Sequence, residues 1–467
     1  MTQRFDSIDF GSKISSIIDF KDDKDNEIPP PLSAKIKESF AFTTLSYRVP
    51  VIITKVIDYL CRQRLILIQQ LNITSDQKPL AEEEIKSIIQ QLACIKYLLV
   101  TNKSLTPIVS DLSDAQIWND YFQEQSKIYD ELVYFEISWL YAECYVYRSI
   151  RECFAKSKFF QNFDPFFETK QESFKFCLDI SSQLAKHLQT LENQSLSDCD
   201  SSEIFRSYLM SSLWGNKFDL SLSCGENHLK KNIDSESLES KILINDLDDL
   251  WRYILKSRSK KTDYRIDFVF DNAGYELFAD LCFVHSLRIA GILPITKVNF
   301  YVKKMPWFVS DTMKSDLNWL LDFLDQKGDQ FPELRQLSTE FQNNFSKGIW
   351  KIQEEDFWTT PHDFSQMLTI SPDLYRNLSE SDLIIFKGDL NYRKLVGDLQ
   401  WSLDTEFKRS LRNFQPKTAI CSLRTIKADV VVGIKNKETL ERVKGLPSDW
   451  MLTGEYALIS FLDNHPE

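Results

Sequence analysis

Arg265-Ile266-Asp267-Phe268-Val269-Phe270-Asp271-Asn272-Ala273-Gly274-Tyr275-Glu276-Leu277 decides how this chain is read. Four of the first six residues, Ile266, Phe268, Val269 and Phe270, are β-branched or aromatic, the composition of a buried strand. The run then breaks at once into acidic and amide residues, one glycine and the start of a helical pattern. Three other stretches follow the same plan. Val298-Asn299-Phe300-Tyr301-Val302 leads to Phe308-Val309-Ser310-Asp311, where a helical pattern opens and runs to Leu324 through Leu317, Leu320 and Leu321. Leu383-Ile384-Ile385-Phe386 leads to Lys387-Gly388-Asp389-Leu390-Asn391-Tyr392-Arg393, and Thr418-Ala419-Ile420-Cys421-Ser422-Leu423 leads to Arg424-Thr425-Ile426-Lys427. Open α/β sheets bind ligands at the carboxyl ends of their strands. If these four strands are parallel neighbours, aspartates, an asparagine, a glutamate, an arginine and lysines converge on one crevice. That mixture suits a metal ion and a phosphate, and makes the chain an enzyme candidate.

Working outward, strands alternate with helices from Tyr264 onward, which predicts βαβ units and a mainly parallel sheet. Leu243 to Leu255 reads as helix, and Asn227 to Ser240 as loop. Upstream the periodicity is helical, over Arg48 to Leu71, Ala81 to Val100, Ile117 to Phe154 and Lys170 to Leu191. The Ser/Asp-rich stretch from Asn193 to Ser202 marks the expected boundary. It divides a helical N-terminal region, 1–195, packed on the catalytic core, from an α/β metal- and phosphate-binding domain, 196–467. The aromatic run Tyr134, Phe135, Trp139, Tyr141, Tyr145 and Tyr147 is expected on a helix packed on several sides.

Of the 467 residues, 43% are hydrophobic and 13% aromatic, enough for a sizeable core. A formal charge of −12 argues against nucleic acid or an anionic membrane as the main partner, since both need broad basic faces. An acidic protein that binds phosphate needs a local cation, which favours a metal. The nine cysteines lack CxxC or zinc-like spacing, and Cys94, Cys144, Cys153, Cys177 and Cys282 sit in apolar helical patterns, so reduced thiols are expected. The first residues lack a signal-like apolar stretch, and Glu131 to Ile150, the most apolar helical stretch read, carries Glu136, Glu143 and Arg148. A soluble chain, cytoplasmic or also nuclear, is expected, with its oligomeric state open.

Asp271, Asn272 and Asp311 form an all-oxygen ligand set, which favours Mg²⁺ or Mn²⁺ over metals that prefer thiol or imidazole. Each aspartate also fits the alternative of a helix cap. Glu276, one turn into the helix, is placed to face the same crevice. Lys387 and Arg393 offer a point charge and a planar fork for phosphate, and Gly388 permits close backbone approach. Arg424 and Lys427 fit either a phosphate anchor or a solvated surface pair. The five histidines are dispersed, and His285 reads as packed. GxGxxG, GxxxxGK[ST] and GxSxG are all missing, as is a Gly-rich loop for S-adenosylmethionine after the first strand.

Together, Asp271 to Leu277, Val309-Ser310-Asp311, Lys387 to Arg393 and Arg424-Thr425-Ile426-Lys427 resemble the motifs of the damage-control phosphatases, with the last motif similar to the signature of their subfamily III. The resemblance spans nearly the whole chain. It implies a Rossmann-like α/β/α domain with a helical N-terminal region. It also implies a hydrolase for small phosphorylated metabolites, such as fructose 1-phosphate and related sugar phosphates, that uses Mn²⁺, Mg²⁺, Co²⁺ or Ni²⁺. It carries metal ligation onto Asp271, Asn272 and Asp311, which are also the catalytic residues. Substrate contact is carried onto Asp271, Asn272, Glu276, Lys387, Asp389, Leu390, Asn391, Tyr392, Arg393 and Lys427, with Asn216 and Asp219 expected on the same crevice. One member of that subfamily is named a protein-glutamate methyltransferase. Two alternatives therefore stand beside the phosphatase: an S-adenosylmethionine-dependent carboxyl methyltransferase and a non-catalytic regulatory binding protein.

Overall fold

The computed structural model describes residues 27–191, 197–215 and 238–465. Its centre is a seven-stranded sheet: β1 (Ile242–Asn245), β2 (Tyr264–Val269), β3 (Ile295–Val302), β4 (Trp350–Glu354), β5 (Leu383–Lys387), β6 (Ala419–Thr425) and β7 (Ala457–Leu462). The spatial order is β1-β7-β6-β5-β2-β3-β4. Strands β6, β5, β2, β3 and β4 are mutually parallel, β7 is antiparallel to β6, and β1 runs parallel to β7. From β2 the chain moves outward through β3 to β4, then returns to lay β5 and β6 on the other side. The order therefore reverses between β2 and β5, and crevices open at such switch points.

Side chains alternate across the sheet. Ile266, Phe268, Phe270, Leu383 and Ile385 enter one apolar cluster, which holds the helices Leu178–Leu191, Asp198–Leu213, Leu247–Arg258, Tyr275–Ile289, Lys314–Gln326 and Pro332–Ser346. Val269, Ile384 and Phe386 enter another, on the face covered by 356–379 and the helix Gly388–Val396. Both faces are buried, which is why β2 and β5 read as continuous runs and why the domain has three layers. Asp267 interrupts the run, wholly buried, but accepts from Arg265 through two nitrogens and from Asn299 at 2.8 Å. A buried carboxylate survives there because it is paired and hydrogen-bonded.

A third cluster, running from Ala34 to Phe166, forms the helical N-terminal region. Its helix Val49–Gln70 belongs to Phe40–Gln70, a stretch long and apolar enough by length and composition to cross a membrane. Ile53, Val56 and Leu60 of that stretch are buried in this cluster. Trp139–Ala155 is buried nearly all round, as Trp139, Tyr141, Tyr145 and Tyr147 predict, whereas Tyr134 and Phe135 lie in the turn before the helix. Met305, Trp307, Leu390 and Ala428 join the same cluster from loops and helices at the carboxyl end of the sheet, so the helical region is packed against the site.

Several elements differ from expectation. The helical pattern over Leu243 to Leu255 hides β1 and begins as helix only at Leu247. Ile117 to Phe154 holds two helices, Ala115–Gln125 and Trp139–Ala155, and Lys170 to Leu191 is split between Phe167–Lys175 and Leu178–Leu191. The third helix after the sheet begins starts at Lys314, not at Ser310-Asp311: the Asp316 carboxylate accepts from Met313 N at 2.8 Å, which frees Asp311 from capping. Cys94 is exposed, and the described cysteines are free.

Candidate functional site

Asp271 and Asn272 leave β2 at the switch point, and Gly274 stands before the helix Tyr275–Ile289 with no side-chain cap. Neither residue serves as the cap their identity allows. The segment that follows β3 is stitched to this junction through backbone. Asn272 and Asp311 form an antiparallel bridge, Thr312 N donates to Asp271 O at 2.7 Å, and Ala273 N donates to Ser310 O at 2.8 Å. Phe308 and Val309 reach that position with φ of 41° and 69°, a conformation unusual for any residue but glycine and most costly for a β-branched one. The Phe308 ring is stacked at 4.5 Å on Tyr147 of the helical region, and the neighbouring Trp307 is wholly buried. Packing thus holds a strained turn that delivers Asp311 to Asp271.

The resulting cluster is acidic and nearly dry. Asp271, Glu276 and Asp311 are all buried. Asn272 Nδ2 donates to Asp271 Oδ2 at 2.7 Å and to Glu276 Oε2 at 2.9 Å, and the Ser310 hydroxyl donates to Asn272 Oδ1. Burial, with Asp311 and Glu276 beside it, holds the Asp271 carboxyl well above the usual range. Burial also pushes Asp311 up to about 6, against the pull of the Lys303 ammonium. Lys303 Nζ lies 3.3 Å from Asp311 Oδ2 and donates to Phe270 O at 3.1 Å. That Asp311 oxygen has no hydrogen-bond partner, so its contact with Lys303 is an ion pair without hydrogen-bond geometry. Carboxylates brought together in a buried site, one with an oxygen paired only to an ammonium, have the donor chemistry of a hard-cation site. Among the described residues no group of three His, Cys, Asp or Glu is arranged for a metal; the candidate set is two carboxylates and one amide oxygen.

The segment after β5 closes the crevice. Gly388, at φ 84°, lies so close to Asp271 that a Cβ there would sit 1.8 Å from Asp271 Oδ2. Lys387 Nζ lies 3.0 Å from Asp280 and 3.3 Å from Glu276. Burial opposes its charge, but those two carboxylates raise its pKa above the lysine norm. Asn391 Nδ2 donates to Phe270 O at 3.1 Å, sharing that carbonyl with Lys303.

Other motif residues are committed to the protein itself. Arg393 grips Asp398 through two nitrogens at 2.9 and 2.8 Å, reaches Glu143 at 2.8 Å and covers the Trp139 ring at 3.7 Å. Asp389 accepts from Arg424 and from Lys427 N, while Tyr392 lies under the Arg424 guanidinium and accepts from Val432 N. Arg424 is fully buried, which removes the solvated-pair alternative for it. Leu390 packs in the helical cluster. Burial raises the Asp271 pKa, and the Lys427 charge pulls weakly against that rise. Asn216 and Asp219 lie outside the described residues. Sequence reasoning missed Lys303 and Asp280. Lys303 follows β3 directly, Asp271 stands two residues beyond β2, and Asp280 stands four residues beyond Glu276 on one helix, so position alone could have flagged Lys303 and Asp280.

An open α/β sheet with an acidic crevice at its switch point is the class that fold and site define. A family model for the damage-control phosphatase ARMT1-like domain matches residues 44–443. The chain belongs to the damage-control phosphatase family. Proteins named Damage-control phosphatase ARMT1 are similar to it over nearly its full length. The Danio rerio protein is 35% identical over 451 residues, covering 94% of this chain and 98% of that protein. The Homo sapiens protein is 35% identical over 447 residues, covering 93% and 98%. A crystal structure of a DUF89 family protein from Pyrococcus horikoshii aligns with a TM-score of 0.38 and 13% identity, over 83% of this chain and 98% of that one.

Proposed function

We propose that this chain is a divalent-metal-dependent phosphatase that hydrolyses small phosphorylated metabolites, sugar phosphates among them. The observation that carries the reading is the convergence of Asp271, Asn272 and Asp311 at the β2/β5 switch point, with Lys303 and Lys387 within 3.3 Å of the cluster's carboxylates. Names of full-length relatives support the phosphatase class. Asp271, Asn272 and Asp311 would hold Mn²⁺, Mg²⁺, Co²⁺ or Ni²⁺, which when bound supplies Lewis acidity toward a phosphoryl oxygen and a more acidic water. The chain's own residues do the rest. Lys427 offsets phosphoryl charge, Asn391 and Lys303 fix the peptide that carries Asp271, and the buried surroundings keep these dipoles and charges oriented. A panel of phosphorylated metabolites, assayed for inorganic phosphate with each of the four metals, tests this directly. Release from sugar phosphates is expected. Methyl transfer from labelled S-adenosylmethionine without phosphate release would favour the methyltransferase instead, and neither activity would favour a binding protein.

A further inference from the structure

Asp280 lies one turn beyond Glu276 on the helix Tyr275–Ile289 and is wholly buried. Its Oδ1 is 3.0 Å from Lys387 Nζ and accepts from the Ser212 hydroxyl at 2.5 Å, while its Oδ2 has no hydrogen-bond partner. Lys387 also donates to the Ser212 carbonyl at 2.5 Å and lies 3.3 Å from Glu276 Oε1. An ammonium has three protons, and Ser212, Asp280 and Glu276 account for them. The other Glu276 oxygen accepts from Asn272 Nδ2, which also donates to Asp271 Oδ2. Charge-assisted contacts, buried up to Glu276 and partly buried at Asn272, therefore run without a gap from Ser212 and Asp280 to Asp271.

We propose that Asp280, held by Ser212, is a positioning residue: it anchors Lys387, which holds Glu276, which in turn sets the orientation of the Asn272 amide. An amide nitrogen carrying two protons is no metal ligand. With Nδ2 bound by two carboxylates and the Ser310 hydroxyl donating to Oδ1, the second lone pair of Oδ1 is left as the donor end. Lys387 then acts through Glu276 rather than on phosphate. A neutral residue at 280 would leave Glu276 as the sole anionic partner of the ammonium, free to follow it away from Asn272. The inference rests on the proposed cation site, and partners of metal ligands typically contribute about 10- to 100-fold to metal affinity.

Asp280→Asn keeps the size of the side chain and its bond to Ser212 while removing the charge. Mn²⁺ affinity measured without substrate, by electron paramagnetic resonance titration, is expected to fall about 10- to 100-fold. Should that variant fail to fold, D280N/K387M removes one buried charge of each sign and is expected to fold and show the same loss. Wild-type Mn²⁺ affinity in a folded D280N, or in the folded double variant, overturns the proposal and leaves Asp280 as packing. D271N is titrated alongside. If D271N also keeps wild-type affinity, or the wild type binds no Mn²⁺, the cation site itself falls. If D271N loses affinity and D280N does not, only the relay falls.

Discussion

Replacing Gly388 by alanine is the sharpest single test of the crevice geometry. Position 388 has φ 84°, and the added methyl would sit 1.8 Å from Asp271 Oδ2, 2.0 Å from its Cγ and 2.5 Å from its Cβ. Rotating the carboxylate clears only the outer atoms, because Cβ moves with the backbone. Restoring an ordinary contact near 3.4 Å to the Oδ2 needs about 1.6 Å of separation (3.4 − 1.8), and even Cβ must retreat by about 0.9 Å (3.4 − 2.5). Misplacement of a catalytic group by about 1 Å costs on the order of 100-fold, or about 2.7 kcal/mol of barrier. The left-handed backbone adds roughly 1 kcal/mol of destabilisation for any residue with a Cβ. G388A is therefore expected to fold, with a slightly lower Tm, and to lose about 100-fold or more in kcat/KM for phosphate release. Steady-state assays with thermal unfolding on the same preparation read both quantities. Activity within about threefold of wild type would show that Asp271 is not held against this backbone, and would refute the reasoning.

Arg393→Ala should unfold at lower urea concentration by about 3–5 kcal/mol, because it strands Glu143 and Asp398 as buried, unpaired charges; unchanged stability with a raised KM would return Arg393 to the role of phosphate anchor. His362 is buried, its Nδ1 lacks a partner, and burial lowers its pKa from 6.5 to about 4. Between those values the unfolded chain binds more protons than the folded one, so this contribution is whole above pH 6.5 and lost as pH falls toward 4. It amounts to about 2 kcal/mol between pH 7 and 5. His362→Phe, which keeps the ring contact with Tyr121, should lose that much less stability over the same interval in urea titrations, and an unchanged pH slope would exclude His362 as the cause.

Much of the fold was legible because β2, β3, β5 and β6 are buried on both faces and read as runs ending in polar junctions. What stayed hidden has physical reasons. Strand β1 is four residues long and runs into a helix whose apolar spacing absorbs it. Strand β4 lies at the sheet edge, where Trp350-Lys351-Ile352-Gln353-Glu354 carries too few apolar residues to stand out. Strand β7 reverses direction, which no βαβ pattern foretells. Within the site, the end of β2 places Asp271 and Asn272, while Asp311, nine residues beyond β3, meets them through the strained turn at Phe308 and Val309. Strand-end positions could not foretell that Arg393 and Arg424 spend their forks on Asp398, Glu143 and Asp389. Those partners lie up to 250 residues away in sequence, and their pairing comes from tertiary packing.

The central claim is that Asp271, Asn272 and Asp311 hold a divalent cation on which phosphoester hydrolysis depends. Calorimetric titration of Mn²⁺ into wild type, D271N and D311N, with phosphate release measured on the same preparations, tests it most directly. One strong site is expected in the wild type, with loss of both binding and turnover in each variant and folding intact. Wild-type Mn²⁺ affinity together with wild-type turnover in either variant would contradict it.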